Sequence, residues 1–174
     1  MENKTITLDG KSQDWSNPSK RKATVMHELG HYICARSLGY DSKIILDPTK
    51  RFYKTWKEEK ENIPKMQALE ESAIVGLGGL VAEEYMHANK DDALAGFMGD
   101  YKELFGIMKE IKTLKNQDFP YQFFLYMPMT EFKEYYDISS QIIEKIGGKQ
   151  KLEEIADKIM PQLKDDNENI IKFG

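Results

Sequence analysis

The stretch MHELGHYICARSLGY, residues 26–40, holds two histidines four positions apart with a glutamate beside the first. The chain has three histidines in all, so His27 and His31 take two of them within five residues. On an α-helix, positions i and i+4 differ by about 40° in azimuth, so both imidazoles leave one face, one turn apart. Two ring nitrogens so placed can reach a single ion at about 2.0–2.1 Å, the distance zinc requires. Glu28 lies one residue round the helix. From there it can reach a water on the ion without ligating the ion, as a general base in metal-assisted hydrolysis does. Gly30, between the ligands, leaves room close to the backbone. From average residue usage, His-Glu-x-x-His arises by chance in a chain this size at roughly the half-percent level or below. The motif therefore predicts a metal site rather than two helix histidines beside a surface glutamate.

A catalytic zinc needs a third protein ligand and an open fourth position. His87, in YMHANK, lies near a predicted helix end and reads as a surface or C-terminal capping residue. The remaining candidates are the carboxylates Glu70, Glu71, Glu83, Glu84, Asp91, Asp92 and Asp100. Spacing alone does not choose among them.

The zinc-binding helix needs a frame. Asn17 and Pro18 read as its N-cap and first position, Gly39 as its stop, and Val25, Leu29 and Ile33 as its buried face. SKIILDP, residues 42–48, is a short β-branched run that predicts a strand at a sheet edge. Residues 50–63 are highly charged without clear period and predict a loop or exposed excursion. A helix is expected from about Pro64 through MQALEESAIVGLGGLVAEEYMHA, with Gly76, Gly78 and Gly79 in its middle. Each interior glycine costs about 1 kcal/mol relative to alanine, so something must approach closely there. KDDALAGFMGD predicts a loop, and DYKELFGIMKEIKTLK an amphipathic helix over about 100–115. Helical pattern returns from about Thr130 to Met160 with a break at Gly147-Gly148, and the last ten residues read as a fraying end. Thr5 to Leu8 predicts one short strand, and the aromatic run DFPYQFFLYMP at 118–128 predicts core. The fold class is mainly α, with a small β element near residues 42–55. The expected organisation is a polar segment over 1–16 and a single domain over 17–174.

TVMHELGHYICA resembles the zinc-binding helix of the FtsH-type ATP-dependent metalloproteases. SKIILDP is similar to the short strand that follows that helix, GLGGLVAEEY to the family's Gly-Gly-x-x-Ala-Glu-Glu helix, and AGFMGDYKEL to its Thr-Gly-Ala-x-Asn-Asp-Leu segment. Order and spacing agree: Glu83 follows His31 by 52 positions, and Asp100 follows Glu83 by 17. The resemblance spans about residues 23–108. It implies that His27, His31 and Asp100 ligate Zn2+, that Glu28 is the catalytic base, and that Glu83 sits beside the metal holding a ligand histidine. It also implies that Gly78 and Gly79 let their helix pack closely on the zinc helix. Departures are Phe97 and Gly99 ahead of the aspartate and Leu80 after Gly-Gly, which bear on the shape of the cleft and not on the ligands. FtsH-type proteins carry membrane helices and an ATPase module ahead of the peptidase; against them this chain reads as a free-standing metallopeptidase domain.

The expected activity is hydrolysis of peptide bonds in flexible or unfolded protein substrates, through a metal-bound water with Glu28 as base. A peptide could lie extended along Ile44, Ile45 and Leu46, using backbone hydrogen bonds for affinity. A separate ATPase or adaptor would widen the range of substrates. Two alternatives use the same motif. One is a regulatory metallopeptidase of another His-Glu-x-x-His lineage that cuts one specific protein, with Glu83 or Glu84 as third ligand. The other is a zinc-binding interaction module without turnover.

Composition narrows the rest. With 174 residues, 40% of them hydrophobic, the chain is long enough to bury a core. A net charge of −4 without a basic stripe argues against nucleic-acid partners. No run approaches ~20 apolar residues, so no membrane span is expected. Cys34 stands alone and reads as a small core residue, so no intramolecular disulfide forms. The opening residues lack signal-peptide regions, and the expected compartment is the cytoplasm. No motif sets the oligomeric state.

Overall fold

The computed structural model describes residues 16–50, 52–87, 90–118 and 132–172, with the side chains of residues 52 and 90–98 left aside. Five helices and three strands follow in the order α1 (Pro18–Ser37), β1 (Ser42–Asp47), β2 (Phe52–Lys57), α2 (Lys65–Met86), α3 (Lys90–Leu114), α4 (Lys133–Lys145), α5 (Gly148–Ile159) and β3 (Asn169–Ile171). The described part is mainly helical, with one small antiparallel sheet. The expected strand over residues 5–8 and the aromatic run at 119–128 lie outside the described residues.

α1 begins where its capping residues place it. The Asn17 side chain accepts from the backbone N–H groups of Ser19 and Lys20, with Pro18 at the first position. It ends at Leu38, before Gly39 at φ +84, the left-handed conformation that glycine adopts without strain. α2 carries an unbroken buried run over residues 77–83 and packs against α1, α3 and α4. A helix apolar on every side belongs in the middle of a domain. Its glycines meet the expected close approach: a Cβ at Gly78 would lie 2.4 Å from the Gly30 carbonyl oxygen, and one at Gly30 would lie 2.1 Å from the Gly78 carbonyl oxygen. α1 and α2 thus touch backbone to backbone, directly beside the His-Glu-x-x-His turn.

Two apolar clusters flank this contact. One joins α1 to the sheet, α4 and α5, through Leu29, Ile44, Leu46, Ile143 and Leu152. The other joins α2, α3 and α4, through Leu77, Leu80, Leu104, Ile111 and Phe132. The break at Gly147-Gly148 separates α4 from α5, and both glycines have positive φ.

Four expectations are corrected. β1 is the centre of the sheet, in strand order β2-β1-β3, and not an edge. Residues 52–57 form β2, whose side chains alternate between half-buried Tyr53, Thr55 and Lys57 and exposed Lys54 and Trp56. That period of two is masked in the sequence because three of the six residues are polar or charged on both faces. Within the last ten residues, expected to fray, Asn169–Ile171 form β3, in which Ile170 and Asn169 pair with Ile45 and Leu46. Residues 90–100 are not a loop but the first turns of α3, whose backbone runs through Gly96 and Gly99. Glycine weakens a helix without ending it.

Candidate metal centre

His27 and His31 lie on the face of α1 turned toward α2 and α3. His27 Nε2 is 2.7 Å from Asp100 Oδ2, His31 Nε2 is 3.1 Å from the same oxygen, and the two Nε2 atoms are 3.1 Å apart. These three residues form a cluster that could hold one metal ion, their ligand atoms all within 4.8 Å of one another. Asp100 belongs to the third turn of α3, so it caps no helix, and it approaches the histidines from 73 and 69 positions away in sequence.

The far nitrogens are engaged as metal-ligating histidines require. His31 Nδ1 is 2.8 Å from the Val75 carbonyl oxygen, and His27 Nδ1 is 2.9 Å from Glu83 Oε1. Each acceptor calls for a proton on Nδ1, which leaves Nε2 of the neutral ring free to ligate. Glu83 thus contacts a histidine and not the ligand-atom cluster. Glu84 accepts instead from the Tyr136 hydroxyl. Glu70 pairs with Lys115 and Tyr135, and Glu71 with Lys60 and Gln67. Of the sequence candidates with described side chains, Asp100 is the carboxylate brought to both histidines.

Electrostatics favour a cation here. Burial works to lower the His27 pKa, but hydrogen bonds to Asp100 and Glu83 and the charges of Asp100 and Glu28 outweigh it, and the group stands well above 6.5. Burial likewise opposes, and Asp100 restores, a raised value at His31. Burial raises Asp100, yet its hydrogen bonds to the two histidines hold it well below the usual carboxylate range. Two imidazoles and one carboxylate, with the carboxylate half-exposed toward a cleft, make a donor set that could hold a divalent metal ion.

Glu28 is buried and lines that cleft beside His31 and Asp100. The Thr55 hydroxyl sits 2.9 Å from Glu28 Oε2 and 2.8 Å from the Glu28 carbonyl oxygen, which ties the carboxylate to β2. The cleft, of about 460 Å³, runs between β2 and an apolar wall of Val75, Gly76, Leu104 and Ile107 from α2 and α3.

Ile44, Ile45 and Leu46, expected to receive a peptide, cannot do so by strand pairing. β1 is paired on both sides, Ile44 with Thr55 and with Ile171, so its backbone groups are taken. β2, the outer strand, faces the cleft in its place. Sequence reading missed three participants: Thr55, the Val75 carbonyl, and the ring of His87. The signal for His87 was its four-residue spacing from Glu83; the polar residues around Thr55 mask its strand, and nothing local marks the Val75 carbonyl. His87 is the C-cap of α2, as one sequence reading had it, and its Nε2 is also 2.9 Å from Glu83 Oε2.

No helix among the described residues is long and apolar enough to cross a membrane. Compared with known protein families, with curated proteins and with solved structures, the chain finds no match.

Proposed function

We propose that this chain is a zinc-dependent metalloendopeptidase acting on flexible or unfolded segments of proteins. The observation that carries the reading is the convergence of His27 Nε2, His31 Nε2 and Asp100 Oδ2 beside a cleft lined by His31, Asp100 and Glu28. The motif order shared with FtsH-type peptidase domains supports the same reading. A divalent cation held by these three residues would make water acidic near neutral pH and polarise a peptide carbonyl.

The chain's own groups account for the remaining steps. Glu83 and the Val75 carbonyl hold the two imidazoles in one tautomer and one orientation. Thr55 holds the Glu28 carboxylate at the cleft. Glu28 takes a proton from the attacking water as the C–O bond forms, and delivers it to the amide nitrogen as the C–N bond breaks. The substrate backbone adds to the outer edge of β2, and its side chains lie toward Val75, Leu104 and Ile107. An extended peptide is needed for that pairing, which limits substrates to segments already unfolded unless a separate ATPase or adaptor supplies them.

The test is cleavage of unfolded casein by the purified chain and by Glu28→Gln, with bound zinc measured in both. Cleavage by the wild type alone at equal zinc content is expected, with loss of about 10²- to 10⁴-fold in rate on removing the base. Equal cleavage by both proteins would overturn the role of Glu28. Zinc in both without cleavage would favour the non-catalytic module, and absence of zinc from the wild type would sink the metal reading.

A further inference from the structure

The two histidines of the centre are held unequally. His31 Nδ1 faces the Val75 carbonyl, which is part of the backbone of α2 and cannot turn without the helix. His27 Nδ1 faces a carboxylate, Glu83 Oε1, which has side-chain torsions of its own. Something must fix that carboxylate if it is to fix the ring. Glu83 is almost fully buried, so solvent has little access to do so.

The geometry points to His87 as the residue that positions Glu83, and through it His27, for metal binding. Its Nε2 lies 2.9 Å from Glu83 Oε2, the oxygen that His27 does not use. The same residue closes the last turn of α2 by donating its backbone N–H to the Glu83 carbonyl oxygen. At φ −108 and ψ 143, His87 has left the helix, and its ring folds back over the preceding turn. Glu83 is therefore gripped by one neighbour at its main chain and at its second carboxylate oxygen. The chain of contacts runs from the half-exposed His87 ring through Glu83 to His27 and ends at Asp100. A capping role alone would need the backbone of His87 and would leave its ring free to face water.

This inference rests on the metal-centre reading of His27, His31 and Asp100. It predicts a graded effect. Removing a direct outer partner of a metal histidine lowers affinity about 10- to 100-fold, so removing a partner one bond further out should cost about three- to tenfold. The experiment uses the full chain as wild type, His87→Ala, His87→Gln, Glu83→Gln and the Glu83→Gln/His87→Ala double variant. Zinc affinity is measured by competition with a chromophoric chelator, the visible absorption of the cobalt(II)-loaded proteins is recorded, and each metal-free protein is melted.

His87→Ala is expected to lose zinc affinity by that factor and to alter the cobalt bands. His87→Gln, which keeps an N–H able to reach Glu83, should restore most of both. In the Glu83→Gln background, His87→Ala should cost nothing further. Unchanged affinity and spectrum in His87→Ala would overturn the inference. So would equal losses in the Ala and Gln variants that follow their metal-free melting temperatures, since that pattern belongs to a helix end alone. A wild type that binds neither ion would instead overturn the metal-centre reading, and this inference with it.

Discussion

At the residue scale, the cluster of His27, His31 and Asp100 makes the protein without bound metal sensitive to pH in a definite direction. His27 has a folded-state pKa well above its unfolded value of about 6.5, because its hydrogen bonds to Asp100 and Glu83 outweigh the burial that opposes them. A raised pKa means that the folded chain binds more protons than the unfolded one. That stabilisation is complete below about pH 6.5 and is lost as pH rises through the folded value. The chelated protein should therefore melt at a lower temperature at pH 8.5 than at pH 6.5. Added zinc should reverse the trend, because its ligands must be deprotonated. Thermal melts at both pH values, with chelator and with zinc, check this; a chelated protein more stable at pH 8.5 contradicts it. Asp100 acts oppositely at the acid end, where its depressed pKa gives stability that is lost as pH falls below the ordinary carboxylate value.

At the scale of elements, the contact between α1 and α2 does two jobs at adjacent positions. At Gly78 an added Cβ meets backbone, the Gly30 carbonyl oxygen at 2.4 Å, together with Cys34 Sγ at 2.8 Å. At Gly79 it meets the rings of the site, His31 Nε2 at 2.5 Å and His27 Cε1 at 2.9 Å. Two substitutions one residue apart should fail differently. Gly78→Ala must separate two helices and should destabilise the chain by about 1–3 kcal/mol or more, with or without metal. Gly79→Ala should displace the imidazoles and weaken zinc binding by about tenfold or more, with a smaller loss in the metal-free melting temperature. Denaturant titration and chelator competition on both variants separate these outcomes. Equal behaviour of the two in both assays would contradict the division of roles.

At the scale of the whole molecule, the C-terminal segment locks the sheet beneath the site. The buried Asn169 side chain approaches the carbonyl oxygens of Leu46, Lys164 and Asn167, and accepts from the Lys164 N–H at 2.8 Å. It joins the chain end to the central strand, whose other side carries β2 and Thr55. Asn169→Ala takes a partner from the buried Leu46 carbonyl and from backbone groups of the exposed Lys164 and Asn167, and should cost about 1–3 kcal/mol. Amide exchange should rise across β1 and β3 before it rises in α2. Unchanged denaturant midpoint and exchange would show that β3 does not support the sheet.

The sequence by itself determined what depends on local backbone geometry. A period of 3.6 residues places His27 and His31 on one face whatever surrounds them, and Asn17, Pro18 and Gly39 mark the ends of that helix through their own torsions and hydrogen bonds. The glycines of α2 likewise announced a close neighbour, although not which one. Tertiary structure decided what depends on distant partners. By spacing alone Asp100 stood equal among seven carboxylates, and only the family resemblance singled it out; burial of α2 between α1 and α3 brings it to the histidines. Thr55 sat in a charged stretch until β2 paired with β1 and turned it toward Glu28. Both strand edges of residues 44–46 were filled by segments that follow them in sequence, β2 close by and β3 more than a hundred residues on. These contacts follow from closing one core around α2, and no pattern within a few residues of Asp100 or Thr55 encodes that closure.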